Sequence, residues 1–121
     1  MAGEIIVGLT LQFRGEQLIS QPNVSIDQIT LGRAGGIMAV TTGGITLDVG
    51  AVGTLGILML RNLDSTNYVR WGPDNAGSMV PCGRLLAAAQ EPTIFRLEPG
   101  ITFRLQANGA TCKVQYELLE A

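Results

Sequence analysis

Apolar and polar residues alternate along much of the chain, which is the pattern of β-strands with one buried face. Every odd position from Ile5 to Phe13 is apolar, and every even position from Cys112 to Leu118 is apolar. The segment from Leu55 to Arg61 is almost continuously apolar, which indicates a strand buried on both faces. These three segments predict the framework of an all-β protein.

Glycine, proline and asparagine mark the predicted turns between these strands. Asn108-Gly109 predicts a hairpin between the last two strands, and Gly43-Gly44 predicts a second hairpin. Pro22-Asn23 is expected to end a short strand at residues 17–20. The run Gly72-Pro73-Asp74-Asn75-Ala76-Gly77 predicts a loop.

A helical turn competes with strand or loop over residues 85–90, but the segment lacks an N-cap and stops at Pro92. We therefore predict an antiparallel β-sandwich or jelly roll with about 8–10 short strands and little or no helix. The 121 residues fit a single domain over 1–121. Residues 1–4 are a candidate flexible N-terminal arm.

Only 15% of the residues are charged, whereas soluble domains carry about 25%. A surface so poor in charge is typical of a chain that hides part of it against partners. The formal net charge of −2 gives no basic footprint for nucleic acid. The sequence shows neither a signal peptide nor about 18 consecutive apolar residues, so we expect no membrane span and synthesis in the cytoplasm.

The chain contains no histidine. This removes the usual general acid-base group, every Ser-His or Cys-His nucleophile and the commonest metal ligand. Asp64 and Asp74 are the nearest approach to a carboxylate pair for glycoside hydrolysis, and residues 64–67 lack the ligand spacing of a calcium loop. We predict a protein that is not an enzyme and needs no cofactor or metal.

Several remaining motifs have a structural and a functional interpretation. Cys82 and Cys112 lack a Cys-x-x-Cys spacing, so a disulfide and two free thiols both stay open. Gly32 to Gly36 lacks the Gly-Lys-Ser/Thr ending of a phosphate loop and is expected to be a mobile or interfacial loop. Three aromatic residues could form a sugar platform, although core packing and subunit contact are the commoner uses: Tyr68, Trp71 and Tyr116.

The C-terminal half, from Leu55 onward, resembles small structural proteins of tailed-bacteriophage virions, in particular capsid decoration (cement) proteins. The resemblance is carried by four segments, residues 61–72, 82–86, 92–97 and 101–119. It implies a compact β domain that trimerises where capsomers meet and has no catalytic residues. Its motif residues are expected as determinants of turns and core: Asn62, Leu63, Asn67, Tyr68 and Gly72.

The leading hypothesis is therefore a capsid decoration protein of a phage virion, non-enzymatic, that binds and stabilises the shell. Its expected partners are further copies of itself, preferably in a trimer, and the major capsid protein or other virion proteins. The alternative is a carbohydrate-binding or receptor-binding β-sandwich module of a phage tail. The candidate protein-contact residues are Glu4, Arg33, Tyr68, Arg70, Trp71 and Met79.

Overall fold

The computed structural model describes residues 5–28, 32–88 and 91–120, and these ranges contain strands and no helix. The all-β prediction is confirmed. The chain divides into two compact units: residues 5–28 belong to the first, and the described residues from 32 to 120 form the second. The single-domain prediction stays a prediction, because two compact units can still unfold together as one domain. The proposed arm at residues 1–4 lies outside the described residues.

The first unit is a long antiparallel hairpin of strands β1, Ile5–Phe13, and β2, Glu16–Ile26. The turn residues Arg14 and Gly15 have φ angles of 51° and 80°, as a tight hairpin turn requires. The expected strand end at Pro22-Asn23 is wrong, because β2 continues through both residues. They lie at a register shift, where a proline without an N–H group is tolerated.

The second unit contains two antiparallel sheets. Its strands are β3, Arg33–Val40; β4, Ile45–Thr46; β5, Leu55–Asn62; β6, Val69–Asn75; β7, Ser78–Met79; β8, Gly83–Leu85; β9, Thr93–Arg96; β10, Phe103–Ala107; and β11, Cys112–Glu120. One sheet has the strand order β3-β11-β5-β9, and the other has the order β4-β10-β6-β7, with β8 also paired to β6.

The inner faces of these two sheets share one apolar core, so the unit is sandwich-like. Leu58, Leu60 and Val114 enter the core from one sheet, and Val69 and Leu105 enter it from the other. All five side chains are fully buried. The prediction that residues 55–61 form a strand is confirmed by β5, which is buried on both faces over residues 55–58 and becomes exposed on one face at Arg61.

Most connections cross from one sheet to the other. The expected hairpin at Asn108-Gly109 is wrong, because β10 pairs with β4 and β6, whereas β11 pairs with β3 and β5. Gly109 still adopts the positive φ angle that its turn requires, 88°. The expected hairpin at Gly43-Gly44 is wrong in the same way, since β3 and β4 belong to different sheets. A turn motif reports backbone conformation and does not specify which strand pairs with which.

Two expected loops are strands. Residues 72–75 extend β6, which turns only at Ala76 and Gly77, and residues 33–36 begin β3 at a sheet edge. The described residues contain eleven strands, just above the predicted 8–10. Backbone pairing with β10 and β11 overrides the weak strand propensity of glycine and proline here.

Gly72 gives a direct test of this packing. A Cβ atom at Gly72 would overlap the carbonyl oxygen of Val80, since the segment from Val80 to Cys82 runs close beside β6 and its amides donate to the Pro73 and Trp71 carbonyls. We expect Gly72→Ala to lower the free energy of unfolding by about 3 kcal/mol, the upper range for overpacking. The measurement is urea unfolding followed by circular dichroism.

Gly43→Ala is the matched control for that substitution. A Cβ at Gly43 would meet only the Thr41 hydroxyl, at 4.0 Å. This variant should therefore unfold within about 0.5 kcal/mol of the wild type. Equal stability of the two variants would contradict the close approach of the Val80 carbonyl to Gly72.

Candidate interaction surfaces

The hairpin of the first unit has one apolar face. Residues directly opposite each other in an antiparallel pair share a face, and the register places Ile5 opposite Ile26, Val7 opposite Val24 and Leu11 opposite Ile19. Two register shifts keep these pairs in phase along the ribbon. The face thus carries Ile5, Val7, Leu9, Leu11, Phe13, Ile19, Val24 and Ile26, together with two polar residues, Gln21 opposite Leu9 and Glu16 opposite Phe13.

Much of this apolar face is exposed. Five of its side chains, Leu9, Leu11, Phe13, Ile19 and Val24, have exposed fractions between 41% and 60%. The pattern of β1 predicts one buried face, and the structure leaves most of it uncovered. Soluble monomers rarely expose contiguous apolar patches above a few hundred Å², and larger ones mark interaction sites.

The opposite face of the hairpin is mostly small or polar. Gly8, Thr10 and Gln12 lie there on β1 together with Ile6, which is 62% exposed. On β2, Leu18 lies at the second register shift, between Gln17 and Ile19, and is 52% exposed. Within residues 5–28 the charged side chains are Arg14 and Glu16 at the turn and Asp27 at the far end. The length of the ribbon between these ends is therefore uncharged.

A second surface lies on the outer face of the sheet that contains β6. Val69 and Trp71 face the core, so Arg70 and Asp74 lie on the other side. Arg70 has Arg84 of β8 opposite it on one side and Gln106 of β10 opposite it on the other side. Three of the seven arginines, Arg70, Arg84 and Arg104, lie on this outer face.

Three of the predicted contact residues lie on or beside this outer face. Arg70 is part of it, Met79 is paired opposite Asp74 at the sheet edge, and Tyr68 lies just before β6 with the guanidinium carbon of Arg84 4.4 Å from its ring centroid. The structure therefore places Tyr68 and Arg70 at the start of β6 and Met79 beside its end.

The other three predicted contact residues lie elsewhere. Arg33 is on β3 and makes two hydrogen bonds of 3.0 Å to the carboxylate of Glu117. This pairing lowers the pKa of Glu117. Trp71 faces inward, and Glu4 lies outside the described residues.

The aromatic residues do not form a common platform. Trp71 stacks on Phe95 and Phe103 at centroid distances of 4.9 and 5.9 Å, and Tyr116 is 7% exposed in β11. Tyr68 instead lies on the outer side, beneath Arg84. The three exposed, adjacent rings that a sugar platform needs are therefore not assembled.

The loop between β5 and β6 is held by two polar side chains. Buried Asn62 donates from Nδ2 to the Asn67 carbonyl at 2.8 Å and accepts at Oδ1 from the Asp64 amide at 3.0 Å. The Asp64 carboxylate accepts hydrogen bonds from the amides of Asn67 and Thr66, and these bonds lower its pKa. Asn62 and Asn67 thus act as turn determinants, and the Asp64 carboxylate stabilises the same loop.

Other candidate chemistry is not assembled in the part of the chain that the structure describes. No group of three or more acidic, cysteine or histidine side chains could hold a metal there. Asp74 lies 3.6 Å from a guanidinium nitrogen of Arg104. Cys82 is exposed and Cys112 is buried, and both thiols are free.

Comparison with known proteins adds no relative: no family model, no curated protein and no solved structure matches the chain. No helix in the described ranges is long and apolar enough to cross a membrane. The functional argument therefore depends on the two surfaces. Sequence analysis did not predict either the apolar hairpin face or the arginine face as an exposed surface. The alternation of apolar residues in Ile5–Phe13 did indicate the apolar face of the hairpin.

The role of Asp64 can be tested through its pH dependence. The pKa of Asp64 is lowered in the folded protein, so its hydrogen bonds stabilise the fold fully above 3.8, the ordinary pKa of an aspartate side chain. This contribution is lost as pH falls through the lower pKa of the folded state. We expect Asp64→Ala to be less stable than the wild type at neutral pH, with the difference shrinking below pH 3.8.

Urea unfolding across the acidic range provides the measurement. Glu98→Ala is the matched control, since Glu98 is exposed in the turn after β9 and makes no hydrogen bond among the described residues. A stability difference for Asp64→Ala that stays constant down to the lowest pH would rule out the assigned hydrogen bonds.

Proposed function

We propose that the chain is a non-enzymatic structural protein of a phage virion, a capsid decoration protein that binds the shell as a homotrimer. The observation that carries this proposal is the exposed apolar face of the β1–β2 hairpin. The absence of histidine, the low charge and the resemblance of the C-terminal half to cement proteins support it. The protein is made in the bacterial cytoplasm and resides in the virion.

The energy available from covering the hairpin is substantial. Burying a large apolar side chain completely contributes about 1.5–3 kcal/mol. Five side chains on the hairpin face are roughly half exposed, so covering them contributes on the order of 5 kcal/mol. This is comparable to the net stability of a whole domain, and it favours a permanent partner.

We assign that partner as a neighbouring copy of this chain. A nine-residue strand is about 30 Å long and two strands are about 10 Å wide, so one hairpin face covers on the order of 300 Å². A specific interface buries about 800 Å² per partner, which one face-to-face pair does not supply. In a closed ring each copy both offers a hairpin and receives one, which increases the area buried per copy.

The composition of the hairpin supports a neighbour of the same kind. Its charged residues lie at the two ends, so identical ribbons meet without repulsion along their length. No observation favours the carbohydrate-binding alternative, because its aromatic platform is not assembled. We also propose that the two sheets of the sandwich-like unit are arranged as a jelly roll.

Self-association is tested by charging one face of the hairpin. Leu11→Asp places a carboxylate on the apolar face, and Ile6→Asp places one on the opposite face of the same strand. We expect the wild type and Ile6→Asp to be trimers, three times 12.8 kDa, and Leu11→Asp to dissociate. Size-exclusion chromatography with light scattering measures the mass.

A monomeric wild type would overturn the assignment. Equal effects of Leu11→Asp and Ile6→Asp would also overturn it, because the two faces would then be equivalent. Circular dichroism of both variants checks that the strands are retained.

Attachment to the shell has a separate test. We expect the trimer to co-sediment with shells of the phage that encodes it, and to stay bound between about 50 mM and about 500 mM salt, since apolar burial is not screened. Failure of the trimer to sediment with shells would refute the decoration role while leaving self-association intact. Release at the higher salt would show that charge carries the attachment.

A further inference from the structure

Two arginines lie side by side on the outer face of the sheet that contains β6. Arg70 on β6 and Arg84 on β8 are directly opposite in the register, and Gln106 on β10 flanks Arg70 on its other side. Like charges directly opposite across a strand pair are destabilising unless something neutralises them. The arrangement therefore calls for a counter-charge.

The described residues supply none for this pair. Arg84 stacks on Tyr68, and neither Arg70 nor Arg84 makes an ion pair within those residues. The Nε atom of Arg70 is buried and has no hydrogen-bond partner. A buried donor without a partner costs free energy.

Arg104 extends the same cationic surface. It lies on β10 two residues from Gln106, diagonal to Arg70, and its Nε is also buried without a partner. Its Nη1 atom is 3.6 Å from Asp74, which is longer than a hydrogen bond. Three arginines and one aspartate give this face a local charge of about +2 in a chain whose net charge is −2.

The surface also has recesses beside the arginines. One of about 300 Å³ is lined by Arg70, Pro81, Cys82, Gly83 and Arg84. Another of about 140 Å³ adjoins Arg104 and Gln106 near Met79. Both are open to solvent, so a side chain of another molecule could enter them.

We propose that this face binds an extended acidic segment of a partner protein, with carboxylates at alternating positions. Guanidinium groups bind carboxylates through paired hydrogen bonds. Alternate residues on one face of an extended chain are about 7 Å apart. Diagonal positions such as those of Arg70 and Arg104 are about 7–8 Å apart, so successive carboxylates can each meet a guanidinium.

Nucleic acid fits this face less well. Its recognition uses many phosphate contacts from an extended basic surface, whereas three arginines and an acidic chain provide few. The inference does not depend on the hairpin contact, because the two surfaces involve different residues and different chemistry.

Cys82 offers a built-in probe of the site. It lines the same recess as Arg70 and Arg84, and the second cysteine, Cys112, is fully buried. Alkylation of the folded protein therefore reports Cys82. The ratio of its rates with anionic iodoacetate and neutral iodoacetamide measures the local positive potential, and mass spectrometry of peptides confirms the position.

The variants separate this site from charge elsewhere. We expect Arg84→Gln and Arg70→Gln each to lower the iodoacetate to iodoacetamide ratio about three-fold, as loss of one nearby charge predicts. Arg61→Gln removes the same charge from an exposed position on β5, in the other sheet, and should leave the ratio unchanged. Equal ratios in all three variants would overturn the site.

The ligand class is tested by protection of Cys82. The probes are a peptide of alternating Glu and Thr, the same peptide with Gln for Glu, inorganic phosphate and a single-stranded oligothymidylate. We expect the Glu peptide alone to slow iodoacetamide alkylation at least three-fold, and Arg84→Gln to abolish that protection. Equal protection by the Gln peptide, or stronger protection by phosphate or the oligonucleotide, would overturn the assignment to an acidic protein segment.

Discussion

The second unit depends on the burial of apolar side chains between two sheets. Leu58 and Leu60 from one sheet meet Val69 and Leu105 from the other, and these four side chains are fully buried. The chain crosses between the sheets at most connections, so neighbouring segments seldom pair with each other. Few strands can therefore bury their apolar face until distant segments have come together.

The hairpin of residues 5–26 follows the same alternation without a second layer. A two-stranded ribbon has one apolar face and nothing within itself to cover that face. The exposed Leu11, Phe13 and Ile19 side chains are therefore a consequence of its architecture. In the proposed role, a neighbouring subunit supplies the missing layer, which also accounts for a chain with so few charges.

The two surfaces differ in their physical character. The hairpin face is apolar, so contacts made through it would gain strength from burial and be insensitive to salt. The face with Arg70, Arg84 and Arg104 is ionic, so contacts made through it would contribute orientation and partner choice. A structural protein that used both would separate the strength of its assembly from its specificity.

The sequence by itself determined the strand character of Ile5–Phe13, Leu55–Asn62 and Cys112–Glu120, because side chains alternate wherever a strand forms. It also excluded acid-base catalysis and metal binding by histidine, because the chain contains no histidine. Tertiary structure alone decided that Asn108-Gly109 connects two different sheets, since a turn fixes local dihedral angles and not the pairing of the strands. It alone decided that the apolar face of β1 is exposed and that Arg84 lies opposite Arg70, because both follow from which strands become neighbours in space.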